Sequence, residues 1–303
     1  MRVARTTALL AALALAAGAP ASAREHRIAK GPVETLQAGG GWVSWFKSGR
    51  QFFWHKGDRT SRKSFLGPLG TDREGRAVGL SVGCSTAGAS EPGGDDGSCT
   101  VHHRVLPDGA TSRLLVTQRN LRSVDEHRGT LIVGFRGRGH PRGIYLRRGG
   151  EGAPLERVSR IRPGSLSISS RAMTNLDPEG RLYAASRSRP HRWRLLARSA
   201  DPDFVRGQEG PFAFVWNPQA EGRFAYWLEE SFEADGSRYA TRILRVDPEP
   251  SDRHLEEFTP PRNVSSLAVT RARLYYADKA NGDLYEFIHP PFHRGGEPLP
   301  LGR

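Results

Sequence analysis

The stretch Leu176-Asp177-Pro178-Glu179-Gly180-Arg181-Leu182-Tyr183-Ala184-Ala185 decides how the chain is read. Pro178 fixes one backbone dihedral and Gly180 tolerates a positive φ, so 177–180 encodes a tight turn. The Leu-Tyr-Ala-Ala run behind it is short, apolar and bounded by turn residues, which is the signature of a strand. Five more runs of this kind begin at Trp42, Ala77, Leu131, Phe224 and Leu274, so the six copies are spaced by 35, 54, 51, 42 and 50 residues. Each is followed by a second run: Phe52–Trp54, Thr100–His102, Ile144–Leu146, Trp193–Leu196, Arg242–Leu244 and Leu284–Phe287. A further run precedes the later copies, at Leu166–Ile168, Phe212–Val215 and Val264–Leu267.

No segment after the N-terminus keeps a 3.6-residue period for three turns. The chain therefore reads as all-β, with about four antiparallel strands in each repeat of ~45 residues, the size of a propeller blade. One such sheet cannot bury both of its faces, whereas a closed ring of sheets can. The expectation is a single β-propeller over 24–303, most simply six-bladed, with repeats starting near 33, 66, 121, 165, 211 and 263. Val33–Leu36 and Leu299–Leu301 are candidates for the strands that close it. Two successive β-sandwiches are the competing arrangement, and a spacing that stays regular across the chain midpoint argues against them.

Composition bounds the rest. The 303 residues include 35 Gly and 21 Pro, which suits many turns and few long helices. Arg2 and Arg5 precede an unbroken Ala/Leu run over Ala8–Ala17, and Ala21-Ser22-Ala23 has the small-x-small form of a cleavage site. These features predict a signal peptide over 1–23, with the rest exported to the periplasm, envelope or medium. The run is too short to span a bilayer, and no later segment is longer and comparably apolar. In such a compartment the only two cysteines, Cys84 and Cys99, are expected to form a disulfide.

Asp177–Ala185 resembles the Pro-Asp-Gly turn-plus-strand repeat of the TolB-like, WD40-like bacterial propellers. Trp216-Asn217-Pro218-Gln219-Ala220-Glu221-Gly222-Arg223-Phe224-Ala225-Tyr226 is similar, with two extra residues, and Asp72–Arg76 and Asp125–Gly129 are weaker echoes. The resemblance implies an exported propeller. It carries over no catalytic residue, because these repeats are structural.

Charge is unevenly distributed. The formal net charge is +13, and 40 of the 45 basic residues are Arg. Residues 1–99 carry a net +5, residues 100–200 a net +13 and residues 201–303 a net −5. Arg136-Gly137-Arg138-Gly139-His140 and Arg187-Ser188-Arg189-Pro190-His191 share the form Arg-x-Arg-x-His, with Arg142 and Arg192 just beyond. If they are equivalent loops of neighbouring blades, Arg136, Arg138, His140, Arg142, Arg187, Arg189, His191 and Arg192 cluster on one face. Guanidinium forks suit carboxylate, phosphate or sulfate. The expected partner is an anionic cell-envelope polymer or an acidic protein, with nucleic acid excluded by compartment.

Signals for catalysis are weak. Gly79-Leu80-Ser81-Val82-Gly83 matches the nucleophile-elbow pattern but sits inside a strand rather than at a strand–turn–helix corner. The ten His show no metal-binding spacing, and Asp95-Asp96 lacks the calcium-loop pattern. No cofactor is expected, although scattered carboxylates of a central channel could hold calcium. The Trp and Tyr residues of the strand runs suit packing between blades first and sugar stacking second. The chain is read as a non-catalytic binding module. The alternative is a propeller enzyme, a metal-dependent lyase or hydrolase acting on a saccharide or lactone in the channel.

Overall fold

Strands buried on both faces dictate how the sheets stack. In the computed structural model, residues 24–62, 66–84, 98–118, 120–137, 140–200, 212–232, 238–249, 254–271 and 273–295 are described. The expected signal segment 1–23, the run Leu299–Leu301, Asp95-Asp96 and Arg138 lie outside them. The described residues hold 25 strands and no helix.

Strand β1 (Arg24–Ala29) precedes six four-stranded antiparallel meanders. The first is β2 (Glu34–Gly39), β3 (Trp42–Lys47), β4 (Arg50–His55) and β5 (Asp58–Arg62). The second is β6 (Leu69–Thr71), β7 (Ala77–Cys84), β8 (Ser98–Val105) and β9 (Thr111–Gln118). The third is β10 (Leu121–His127), β11 (Thr130–Phe135), β12 (Gly143–Arg148) and β13 (Glu156–Ser159). The fourth is β14 (Ser165–Ile168), β15 (Ala172–Leu176), β16 (Arg181–Ser186) and β17 (Arg194–Arg198). The fifth is β18 (Phe212–Glu221), β19 (Phe224–Phe232), β20 (Arg238–Val246) and β21 (Glu256–Phe258). The sixth takes β22 (Val264–Thr270), β23 (Arg273–Asp278) and β24 (Leu284–Ile288) from the C-terminal end and β1 as its outer strand. A short β25 (His293–Arg294) adds to the edge of the fifth.

The innermost strands β2, β6, β10, β14, β18 and β22 touch in that order, and β22 returns to β2. Six hydrophobic clusters fill the six junctions, because successive residues of a strand point to opposite neighbours. In β11, Leu131, Val133 and Phe135 pack toward the second meander, while Ile132 packs toward the fourth. In β23, Leu274 and Tyr276 face the fifth meander, and Tyr275 and Ala277 face the first.

The sheets are not six separate units. Hydrogen bonding gives five, because the second and third meanders fuse into one eight-stranded sheet through a parallel pairing of Thr71 with His127. Gly70 permits this approach, since a Cβ there would sit 2.2 Å from the Glu126 carbonyl oxygen. The ring also closes differently from expectation. β1 pairs with β24, whereas Val33 precedes and Thr35 and Leu36 join the innermost strand β2. Cys84 and Cys99 are bonded across β7 and β8, with Cα atoms 4.1 Å apart.

Side chains staple each innermost strand to the next. Thr71 Oγ1 accepts from Arg128 N at 3.0 Å, and Asp125 Oδ2 from Ile168 N at 2.8 Å. Ser167 Oγ accepts from Ala220 N at 3.1 Å, Gln219 Oε1 from Val269 N at 2.8 Å, and Thr270 Oγ1 from Gly41 N at 3.1 Å. Between the first and second meanders, Gln51 both accepts from Leu66 N and donates to its carbonyl.

Candidate binding face

Antiparallel order puts the first and third turns of every meander on one face, here the front, and the second turn and the link to the next meander on the back. This divides the seven described members of the expected basic set. Arg136, His140 and Arg142 belong to the second turn of the third meander, on the back. Arg187, Arg189, His191 and Arg192 belong to the third turn of the fourth, on the front. The two loops are not equivalent, because Leu131 lies in the second strand of its meander and Leu182 in the third of its own. Arg187 Nη2 donates to Thr130 Oγ1 at 2.6 Å, at the start of β11. Arg136 follows the end of that same strand, about 17 Å away at ~3.3 Å per residue. The expected single cluster is therefore corrected: its seven described residues form two groups on opposite faces.

Their surroundings differ as well. On the back, Arg136 and Arg142 are exposed, and His140 stacks on Phe135 with ring centroids 4.4 Å apart. On the front, Arg187 is a clamp: its Nη1 also donates to the Ser169 carbonyl at 2.9 Å, tying the third meander to the fourth. Burial, then Arg148, lowers its pKa from the usual guanidinium value. His191 Nε2 meets Glu156 Oε1 at 3.0 Å, and Arg189 and Arg192 are exposed.

Alignment on the innermost strands uncovers a set that the sequence reading missed. The first turn of each of the last five meanders carries an arginine: Arg73, Arg128, Arg171, Arg223 and Arg271. Arg171 pairs with Glu249 at 2.8 Å, and Arg223 lies 3.7 Å from Asp247. Arg73, Arg128 and Arg271 have no ion-pair partner among the described residues. Arg128 and Arg271 both adopt φ 49°, a left-handed conformation that favours Gly, Asn or Asp. In the first meander the corresponding turn is Gly40-Gly41, and the Arg271 guanidinium lies against Gly41.

These turns surround the mouth of a cavity of about 830 Å³ walled by all six innermost strands. Arg128, Arg271 and Glu221 line its front, and Trp216 stands further along β18 beside a bulge with Asn217 at φ 45°. Burial raises the pKa of Glu221, opposed by the bond that its carboxylate accepts from Arg271 N at 2.8 Å. In β10, burial pushes the Asp125 carboxyl up to about 7 despite its backbone hydrogen bonds. Two residues on, burial, Arg187 and Arg128 push His127 down to about 4. The volume falls in the range of small-ligand sites.

Among the described residues no three His, Cys, Asp or Glu side chains converge as metal ligands. Gly79–Gly83 runs straight through β7, so Ser81 occupies no nucleophile elbow. No helix among these residues is long and apolar enough to cross a membrane.

No family model matches the chain, and no curated protein does. Solved structures of similar shape include PorZ, a bacterial surface component of the type-IX secretion system of Porphyromonas gingivalis, at 9% identity and TM-score 0.39. That match covers 91% of this chain but 40% of PorZ, so the chain spans about two fifths of that protein's length. The Pan2 WD40 domain of Neurospora crassa is similar at 12% identity and TM-score 0.41, covering 87% of this chain and 91% of that one. BamB from Moraxella catarrhalis is similar at 13% identity and TM-score 0.37, covering 84% and 86%.

Proposed function

We propose that this chain is an exported, non-catalytic binding module whose front face takes an anionic partner, an envelope polymer or an acidic protein. The observation that carries the reading is the arginine repeated at the first turn of five successive meanders around the channel mouth. Arg128 and Arg271 hold left-handed turn positions that the fold alone would fill with Asn or Gly, and strain of that kind concentrates at functional sites. The third-turn group Arg189, His191 and Arg192 extends the same face. The pairing of Cys84 with Cys99 supports an oxidising compartment.

The test is retention on an immobilised anionic polysaccharide across a salt series. Arg128→Asn with Arg271→Asn should weaken binding and flatten its salt dependence, because exposed charges act through a screened field. Arg136→Ala with Arg142→Ala, on the back, should leave it unchanged. Equal losses from the two pairs would defeat the assignment to the front face.

A further inference from the structure

A second basic site lies at the seam where the ring closes, away from the channel. Arg27 and Lys30 come from β1 and the residue just after it, Trp45 and Lys47 from β3, and Arg59 from β5. Together with the backbone at 28–29 they enclose a pocket of about 320 Å³. Four of its side chains are cations and none is a carboxylate. Arg27 is held by Asp283 at 2.9 Å, which fixes its place without filling its five donors. Lys47 Nζ donates to the carbonyls of Lys30 at 2.7 Å and Gly31 at 2.9 Å. The Arg59 guanidinium rests over Phe52 at 4.5 Å and Trp45 at 5.9 Å, which orients it while leaving its N–H groups free to donate.

The wall has donors in excess. The Trp45 side chain is fully buried, and its indole N–H has no acceptor among the described residues. Lys30 and Arg59 are exposed and form no ion pair among the described residues. Lysine is scarce in this chain, with five against 40 arginines, yet two of the five are in this pocket. What complements such a wall is a compact group with several acceptor oxygens and more than one negative charge.

We infer that the seam pocket, formed by Arg27, Lys30, Lys47 and Arg59, binds a phosphate monoester or pyrophosphate group. A phosphate monoester carries about −1.5 to −2 at neutral pH and offers three acceptor oxygens, against a single charge on a diester. Guanidinium forks and ammonium groups are the usual partners of such oxygens. The ligand would bridge β1 of the sixth meander to β3 and β5 of the first, and so brace the closure of the ring. This goes beyond the reading of the front face and uses none of its residues.

The test is thermal unfolding of the full chain with inorganic pyrophosphate, at ionic strength held constant with sodium chloride. A ligand that binds only the folded state raises Tm saturably. A saturable rise is expected, with half-saturation moved at least ten-fold higher in Arg59→Gln and in Lys30→Gln. Neither side chain makes a hydrogen bond to the fold among the described residues, so both variants should fold. Arg136→Ala, on the back and in neither proposed site, should respond as the parent does. A glycerophosphodiester should act more weakly than pyrophosphate, and an equal response to it would overturn the assignment to a monoester. No rise beyond the chloride control, or an undiminished rise in both variants, would overturn the site.

Discussion

The junction between the second and third meanders and the seam between the sixth and first solve one problem in two ways. At the former, Gly70 removes a Cβ, β6 and β10 hydrogen-bond directly, and two sheets become one. Behind that pairing, His103 Nδ1 meets Glu126 Oε2 at 2.9 Å, and Arg147 reaches across to the Leu114 carbonyl. At the seam the innermost strands β22 and β2 lie in separate sheets. Closure there relies on the single strand β1 and on Asp283, which accepts from Gly31 N at 2.8 Å and pairs with Arg27. A junction fused through backbone should open only when the whole ring unfolds. One fastened by the single strand β1 should open locally, since stability is not uniform across a structure.

The largest expected effect tests that contrast. Gly70→Ala puts a Cβ 2.2 Å from a carbonyl oxygen that belongs to backbone and has little room to move. It should lower global stability by about 3 kcal/mol, read as a shift in the urea midpoint, at the upper end for forced overpacking. Asp283→Ala should cost less, about 1–2 kcal/mol for a lost charged hydrogen bond. Its effect should appear as faster amide exchange over 24–33 with the third meander still protected. Global loss from both variants, or local loss from both, would erase the distinction.

The next effect concerns β10, the strand that carries the fused junction on one side and the link to the fourth meander on the other. Asp125 and His127 are two positions apart on β10, and their folded pKa values are displaced in opposite directions, to about 7 and about 4. Between pH 4 and 7 the folded state holds a proton on Asp125 that the unfolded chain has released, so this residue makes stability fall as pH rises. Between pH 4 and 6.5 the unfolded chain holds a proton on His127 that the folded state refuses, so that residue makes stability rise with pH. The two slopes oppose each other. Asp125→Asn should uncover the rise, and His127→Gln should uncover the fall, in Tm measured from pH 4 to 7. Identical pH profiles for the two variants would refute the opposed displacements.

What the sequence made legible follows from period and punctuation. The strand runs at Trp42, Leu131 and Leu274 were readable because both faces of those strands are buried and glycine-containing turns bound them. The Cys84–Cys99 pair was readable from the count of two and the export expected from the N-terminus. The row of first-turn arginines was not, for one reason. Asp177–Gly180 was aligned with first turns such as Asp72–Gly75, but it is the second turn of its meander. An error of one strand moves a loop to the opposite face, just as a slip of one residue turns a side chain over. The similar Asn217-Pro218 lies within the β18 bulge rather than at a turn. Residue counts between innermost strands would have exposed the arginine at each first turn. No local pattern announces Gly70 or the seam pocket, since both depend on which strands meet across the ring.

The smallest expected effect returns to the fused junction and separates structure from function at one residue. Arg128 N donates to the Thr71 carbonyl at 2.7 Å and to Thr71 Oγ1 at 3.0 Å, so its backbone belongs to the junction. Its side chain has no ion pair among the described residues and borders the channel mouth. With φ at 49° before Gly129 at φ 71°, it occupies the first position of a two-residue hairpin turn, where Asn is favoured over a long side chain. Arg128→Asn keeps both backbone bonds and relieves a left-handed penalty of order 1 kcal/mol. The variant should therefore be more stable than the parent by about 0.5–1 kcal/mol in urea while binding an anionic polysaccharide less tightly. Arg136→Asn, on the back, should change neither quantity measurably. If Arg128→Asn instead destabilises the chain, the guanidinium serves the fold, and the case for a front face shaped by binding loses its sharpest residue.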